Sequence, residues 1–119
     1  MKIPEHPTII RRMRDARLKK LAEVGPLLAG SVVQQRVRCG RASCRCAEHD
    51  KHKHLKTAIT QTVNGKTRTV YVPVDLVEEV RAWSAEHKRV KELLKQISEL
   101  TLALVRTHAK HRDRRQGRT

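Results

Sequence analysis

Apolar positions along this 119-residue chain recur with three different periods, and each period predicts a different element. Between residues 8 and 24, Ile10, Met13, Leu21 and Val24 make a loose helical stripe, with Thr8 placed as N-cap and Gly25-Pro26 as the stop. From Val32 to Arg38 the period drops to two, with Val33, Gln35 and Val37 on one side, which predicts a short strand. Two further runs, Lys56 to Val63 and Lys66 to Val72, flank Asn64-Gly65, a pair that supplies the two positive-φ positions of a type I′ hairpin turn. A two-residue turn sets the register: Val63 faces Lys66, Ile59 faces Val70 and Thr57 faces Val72. One face of that hairpin carries Ile59, Val63, Val70 and Val72, and the other carries Thr60, Thr62, Thr67 and Thr69.

After Pro73, Asp75 and Glu78 have the spacing of a capping box. Leu76, Val80, Trp83, His87, Val90, Leu94, Ile97, Thr101, Leu104 and His108 then follow an unbroken 4-3 rhythm, the signature of a heptad seam. No Gly or Pro interrupts residues 75 to 112, so at 1.5 Å per residue the helix extends for roughly 50 Å. A helix of that length outruns a small body, which makes Leu76, Val80, Trp83, Val90, Leu94, Ile97 and Leu104 the expected surface for self-association or a partner protein. Leu93 and Leu100 widen the stripe in the manner of a bundle, and His87, Thr101 and His108 read as polar positions that set its register.

The expected fold class is α+β: a basic N-terminal helix, a small three-stranded antiparallel sheet and a long C-terminal helix. The chain divides accordingly into a helical segment 1–28, a β domain 29–74, an association helix 75–112 and a basic tail 113–119. Composition adds a constraint. Hydrophobic residues make up 38% of the chain, Phe is absent, and Trp83 and Tyr71 are its only Trp and Tyr, so the apolar core is small and a metal or partner must supplement it.

Charge points to the kind of partner. There are 27 Lys and Arg against 12 Asp and Glu, a formal net charge of +15. Residues 1–74 hold 16 basic and 5 acidic groups, residues 75–107 hold 6 of each, and residues 108–119 hold 5 and 1. A surplus serving solubility alone would have no reason to avoid the middle block; two basic blocks suit a polyanion, and nucleic acid is the expected ligand. The candidate contacts are Arg11, Arg12, Arg14, Arg17, Lys19 and Lys20 on the first helix, Arg36, Arg38, Arg41, Arg45, Lys51 and Lys53 around the cysteines, Lys66 and Arg68 on the hairpin, and Lys110, Arg112, Arg114, Arg115 and Arg118 at the end. The scarcity of aromatic rings disfavours single strands bound by base stacking, so double-stranded DNA is favoured, with structured RNA as the alternative. No apolar stretch reaches the ~18 residues of a membrane span, and a cytoplasmic protein is expected, associated with the bacterial nucleoid if it binds DNA. A protein adaptor docking through the last helix and a ribosome-associated protein are the competing classes.

The densest chemistry lies in Cys39-Gly40-Arg41-Ala42-Ser43-Cys44-Arg45-Cys46, followed by His49, His52 and His54. Three cysteines within eight positions, an odd number set among Arg, Gly and Ser, suit neither a disulfide framework nor a buried core; thiolates plus one imidazole satisfy the tetrahedral preference of Zn2+. The expected ligands are Cys39, Cys44, Cys46 and His52, with His49 or His54 as alternatives for the fourth place. Such a site has no open position, no helical His-Glu-x-x-His is present and no small-molecule substrate site is evident, so a structural role and no catalysis are expected.

Gly30-Ser31-Val32-Val33, the Cys39-Gly40-x3-Cys44-x-Cys46 cluster, a following histidine, the Asn64-Gly65 hairpin ending in Val70-Tyr71-Val72-Pro73 and a long helix together resemble an uncharacterised family of small basic bacterial proteins. The resemblance spans about residues 26–105. It implies the same order of elements, places His52 at the family's histidine and suggests a setting among mobile genetic elements or recombination systems. The chain departs from the pattern at Lys53-His54-Leu55, where the family has Gly-Pro-Tyr, which leaves His54 in competition for the metal.

Overall fold

The computed structural model describes residues 1–115; side chains are not described at 113 and 115. The elements run α1 (Pro7–Ala22), β1 (Ser31–Val37), two 3-10 turns (Arg45–Ala47 and Asp50–His52), β2 (His54–Val63), β3 (Lys66–Tyr71), a third 3-10 turn (Val74–Leu76) and α2 (Val77–Arg115). The architecture is α+β, as expected.

Two compact units divide the chain: residues 26–87 form one, and residues 1–25 with those from 88 onward form the other. α2 contributes to both units.

The unit 26–87 is built on an antiparallel sheet in the order β1-β2-β3. Asn64 has φ 52° and Gly65 φ 78°, the two left-handed positions that a type I′ turn requires. The hairpin register follows from them: Val63 pairs with Lys66 and Ile59 with Val70, and the Val72 amide donates to the Thr57 carbonyl at 2.9 Å. β2 is the central strand, and both of its faces reach the core at one point, where Ala58 and Ile59 are buried. The apolar face expected on the hairpin is covered in part: Ile59 is buried and Val72 half-buried, whereas Val63 and Val70 are 42% and 51% exposed and every residue of the edge strand β3 is exposed. The short crossing from Pro26 to Gly30 is held by the start of α2. The Leu28 amide donates to the Trp83 carbonyl at 3.1 Å, and the buried Ser84 hydroxyl donates to the Gly30 carbonyl at 3.0 Å.

In the other unit α1 lies antiparallel to the distal part of α2: Glu5 pairs with Lys110 at 3.1 Å and the Arg17 Nε donates to Gln96 at 2.6 Å, so the ties run in opposite directions along the two segments. α1 starts one residue before the expected cap, with Pro7 at N1 and His6 as N-cap, and Thr8 lies inside the helix. Asp75 likewise lies inside a 3-10 turn rather than at a cap. Ile10 and Leu100 are fully enclosed, with Leu93 and Thr107 also buried. The buried line of distal α2 is therefore Leu93-Leu100-Thr107, flanked by the half-buried Val90, Ile97 and Leu104. Leu94, Thr101 and His108, expected on the seam, are exposed. The stripe turns toward Leu93 and Leu100 because α1 of the same chain packs on it.

Gly30 tests the close approach at the sheet. A Cβ there would stand 2.6 Å from Ile59 Cγ2 and 3.1 Å from the Thr60 carbonyl oxygen. Gly30→Ala should lower the stability of the chain by about 1–3 kcal/mol in urea unfolding, the range for overpacking, while Ala29→Gly changes it by less.

Candidate metal centre

β1 and β2 pair from Ser31 opposite Thr60 to Val37 opposite His54, which ends the ladder at the mouth of the cysteine loop. Paired residues project to the same face of a sheet, and so do residues two apart on a strand. His54 thus shares the face of Val37, and the chain reaches Cys39 two residues beyond Val37. Gly40 has φ 85°, the left-handed conformation that turns the chain directly after Cys39. The 3-10 turn at Arg45–Ala47 then brings Cys44 and Cys46 back toward the strand end.

The result is a cluster of Cys39, Cys44, Cys46 and His54 whose ligand atoms all lie within 4.8 Å of one another, close enough to hold one metal ion. Cys44 Sγ is 3.2 Å from His54 Nε2, and Cys39 Sγ is 3.5 Å from Cys46 Sγ. The Cys39 amide points at Cys46 Sγ at 3.4 Å, and Cys46 is fully buried. The backbone amide of Cys46, then the His54 imidazole and the two other thiols, lower the Cys44 thiol to about 6. The Cys39 amide favours a Cys46 thiolate as well, but burial and the neighbouring thiols outweigh it and push that thiol upward.

His54 takes the place expected of His52. His52 ends the 3-10 turn Asp50–His52, where its ring stands edge-on to that of His49 at 6.3 Å, and neither ring joins the cluster. A signal for His54 does exist in the sequence: strand parity. It becomes readable only once the β1–β2 register is known, and no tight turn sets that register.

The basic residues around the loop separate into two groups. Arg38 is paired with Asp50, whose carboxyl it holds below the usual range with help from Lys53 at 3.7 Å, and Arg36 donates to the Lys51 carbonyl at 3.2 Å. These side chains tie the loop down. Arg41 and Arg45 are exposed and have no partner among the described residues, and the Lys51 ammonium is likewise exposed. On the hairpin Lys66 is exposed, and Arg68 donates to Gln61 at 2.9 Å.

The remaining expected contacts belong to the other unit. Arg11, Arg12, Lys19 and Lys20 are exposed on α1; Arg14 pairs with Asp15 at 3.3 Å. Arg17 is half-buried and bonded to Gln96 and, at 3.0 Å, to the Met13 carbonyl, which makes it part of the α1–α2 packing. Lys110 pairs with Glu5, and Arg112 and Arg114 are exposed on α2. The Arg115 side chain and Arg118 lie outside the described residues.

Two helices and a sheet of three antiparallel strands, with three thiols and an imidazole gathered at one end of the sheet, define a small α+β protein with a candidate metal centre. The chain belongs to the family described as Domain of unknown function (DUF6788), whose model matches residues 8–82 and so takes in α1, the sheet, the metal cluster and the start of α2. Comparison with curated proteins and with solved structures finds no match.

The cluster predicts which histidine matters. Titrating the reduced protein with Co2+ should give the absorption of a tetrahedral thiolate site in the wild type and in His52→Ala, whereas His54→Ala should bind at least about tenfold more weakly. Metal uptake displaces thiol protons, so affinity should fall as pH falls. Because the Cys46 thiol is raised while that of Cys44 is lowered to about 6, the loss should begin on the alkaline side of 6, where Cys46 already holds its proton.

Proposed function

We propose that the protein is a non-catalytic nucleic-acid-binding protein, favouring double-stranded DNA, in which a structural Zn2+ on Cys39, Cys44, Cys46 and His54 fixes a basic loop for contact with phosphates. Its setting on this reading is that of an accessory factor to a mobile element or recombination system in a bacterial cell. Three thiols and one imidazole are a donor set that zinc prefers, and bound there it would supply a cross-link with no position left for substrate. The single observation that carries the reading is the state of the Arg41 and Arg45 side chains: both exposed and unpaired among the described residues, on the loop between ligands, while Arg38 and Lys53 hold the loop through Asp50.

The chemistry follows from that division. A guanidinium on a tethered loop loses less conformational freedom when it meets a phosphate than one on a free tail, so fixing the loop raises affinity. Arg41 and Arg45 are two residues either side of Ser43, within reach of successive phosphates or of guanine in a major groove. The one tyrosine is half-exposed, but its ring already carries the Lys56 ammonium at 5.6 Å, which leaves little of an aromatic platform for unpaired bases.

A second reading has an observation of its own. Leu94, Leu102 and Val105 stand about half-exposed on distal α2, which supports an adaptor that docks a partner protein, or another copy of itself, through that helix.

A mobility shift with duplex DNA, structured RNA and ribosomal RNA, run from about 50 to 200 mM salt, separates these classes. If six to ten phosphates are neutralised, DNA affinity should fall by roughly three to five decades over that range, and Arg41→Ala with Arg45→Ala should flatten the slope by about two. A flat salt response with intact binding to a protein partner favours the adaptor. Preference for ribosomal RNA moves the protein to the ribosome.

A further inference from the structure

The unit that joins α1 to distal α2 holds a basic site of its own. A cleft of about 490 Å3 is lined by Pro7 and Arg11 of α1 and by Leu104, His108, His111 and Arg112 of α2. His108, His111 and Arg112 share one side of α2 because they are spaced i, i+3 and i+4, and Arg11 stands one turn beyond Pro7 on α1. No carboxylate lines the cleft among the described residues, and no acidic residue occupies the first turn of α1.

Cations near the end of a helix are ordinary, since they complement the partial negative charge of its terminal carbonyls. That accounts for Arg112, in the last turn of α2. It does not account for Arg11, which comes from the other helix. The other ties between these segments are complementary: Glu5 meets Lys110, and Arg17 meets the Gln96 carbonyl oxygen. At the Pro7–Arg11 layer a guanidinium shares a cleft with a second guanidinium and two imidazoles, and the two guanidiniums are like charges that an anion between them would stabilise. The volume equals roughly sixteen waters at about 30 Å3 each, room for a run of linked phosphates rather than one small ion. Planar guanidinium groups bond phosphate oxygens in pairs, and imidazoles add single donors.

We propose that the cleft formed by Arg11, His108, His111 and Arg112 is a phosphate-binding site that holds consecutive phosphates of a nucleic-acid backbone. The phosphate chemistry stands on the cleft itself, and the assignment to a nucleic-acid backbone rests on the functional reading above.

The test uses the full metal-loaded chain and two probes. Pyrophosphate is titrated while the imidazole resonances of His108 and His111 are followed by NMR, and a short DNA duplex is bound in parallel, both for the wild type and for Arg11→Gln with Arg112→Gln. Pyrophosphate should shift both imidazoles to saturation in the wild type and bind at least about tenfold more weakly in the double variant, and the variant should bind duplex about tenfold more weakly. No saturable shift in the wild type overturns the site, whatever the duplex does, and needs no variant to fold. A shift of equal affinity in the variant overturns it too, by placing the phosphate elsewhere. A variant that loses pyrophosphate yet binds duplex normally overturns the backbone assignment and points to a free phosphate compound. Loss of duplex binding in Arg41→Ala with Arg45→Ala bears on the metal loop alone, so the two readings fail separately.

Discussion

The ladder between β1 and β2 governs what the rest of the unit around it can do. Its last pair, Val37 opposite His54, brings together two points of the chain between which the sequence is almost wholly polar, from Arg38 to Lys53. A loop of that composition has little apolar surface with which to hold itself, and Cys46 is its one fully buried side chain. Its order comes instead from polar ties: thiols against thiols and imidazole, Arg38 with Asp50, Arg36 with a backbone carbonyl. If the ladder slipped by one residue, His54 would project from the opposite face and the cluster would lose its fourth member.

That dependence explains what was legible in the sequence. The Asn64-Gly65 turn fixes its own geometry, so the register of β2 with β3 could be written down residue by residue and matches the structure at Val63, Ile59 and Thr57. The three cysteines announce themselves by spacing. The fourth ligand does not, because the connection from β1 to β2 is long and irregular and leaves the register to tertiary packing. The family resemblance favoured His52 by its place in a motif, yet the structure gives that residue to a 3-10 turn. Local chemistry was readable; the meeting of distant segments was not.

The long helix shows the same limit in another form. A 4-3 rhythm passes through Val90, Ile97 and Leu104 whichever side of that line is buried, and its other members can fall at Leu94 and Thr101 or at Leu93 and Leu100. Periodicity gives the line, and the partner helix chooses the side. With α1 folded onto it, distal α2 buries Leu93 and Leu100, and the exposed Leu94, Leu102 and Val105 form a separate apolar strip. The basic residues sort by the same logic. Arg17 has a basic neighbourhood in sequence and a structural job in space, and Arg38 is tied to Asp50, whereas Arg41 and Arg45 have no carboxylate opposite them among the described residues.

The thin core ties metal and fold together. With no Phe, the largest fully buried side chains are Ile10, Leu100 and Cys46, and Cys46 is the one that lies in the sheet-bearing unit. In a body of that size, one of the few places normally filled by a large apolar residue is filled by a candidate metal ligand. Its thiol is already disfavoured as an anion by burial, and a bound cation would remove that cost while joining it to Cys39, Cys44 and His54. A metal there would act where a phenylalanine acts in a richer core, by holding the end of the sheet closed. The difference is that its outer side can be entirely polar, which lets the stabilising element and the basic surface occupy the same short loop.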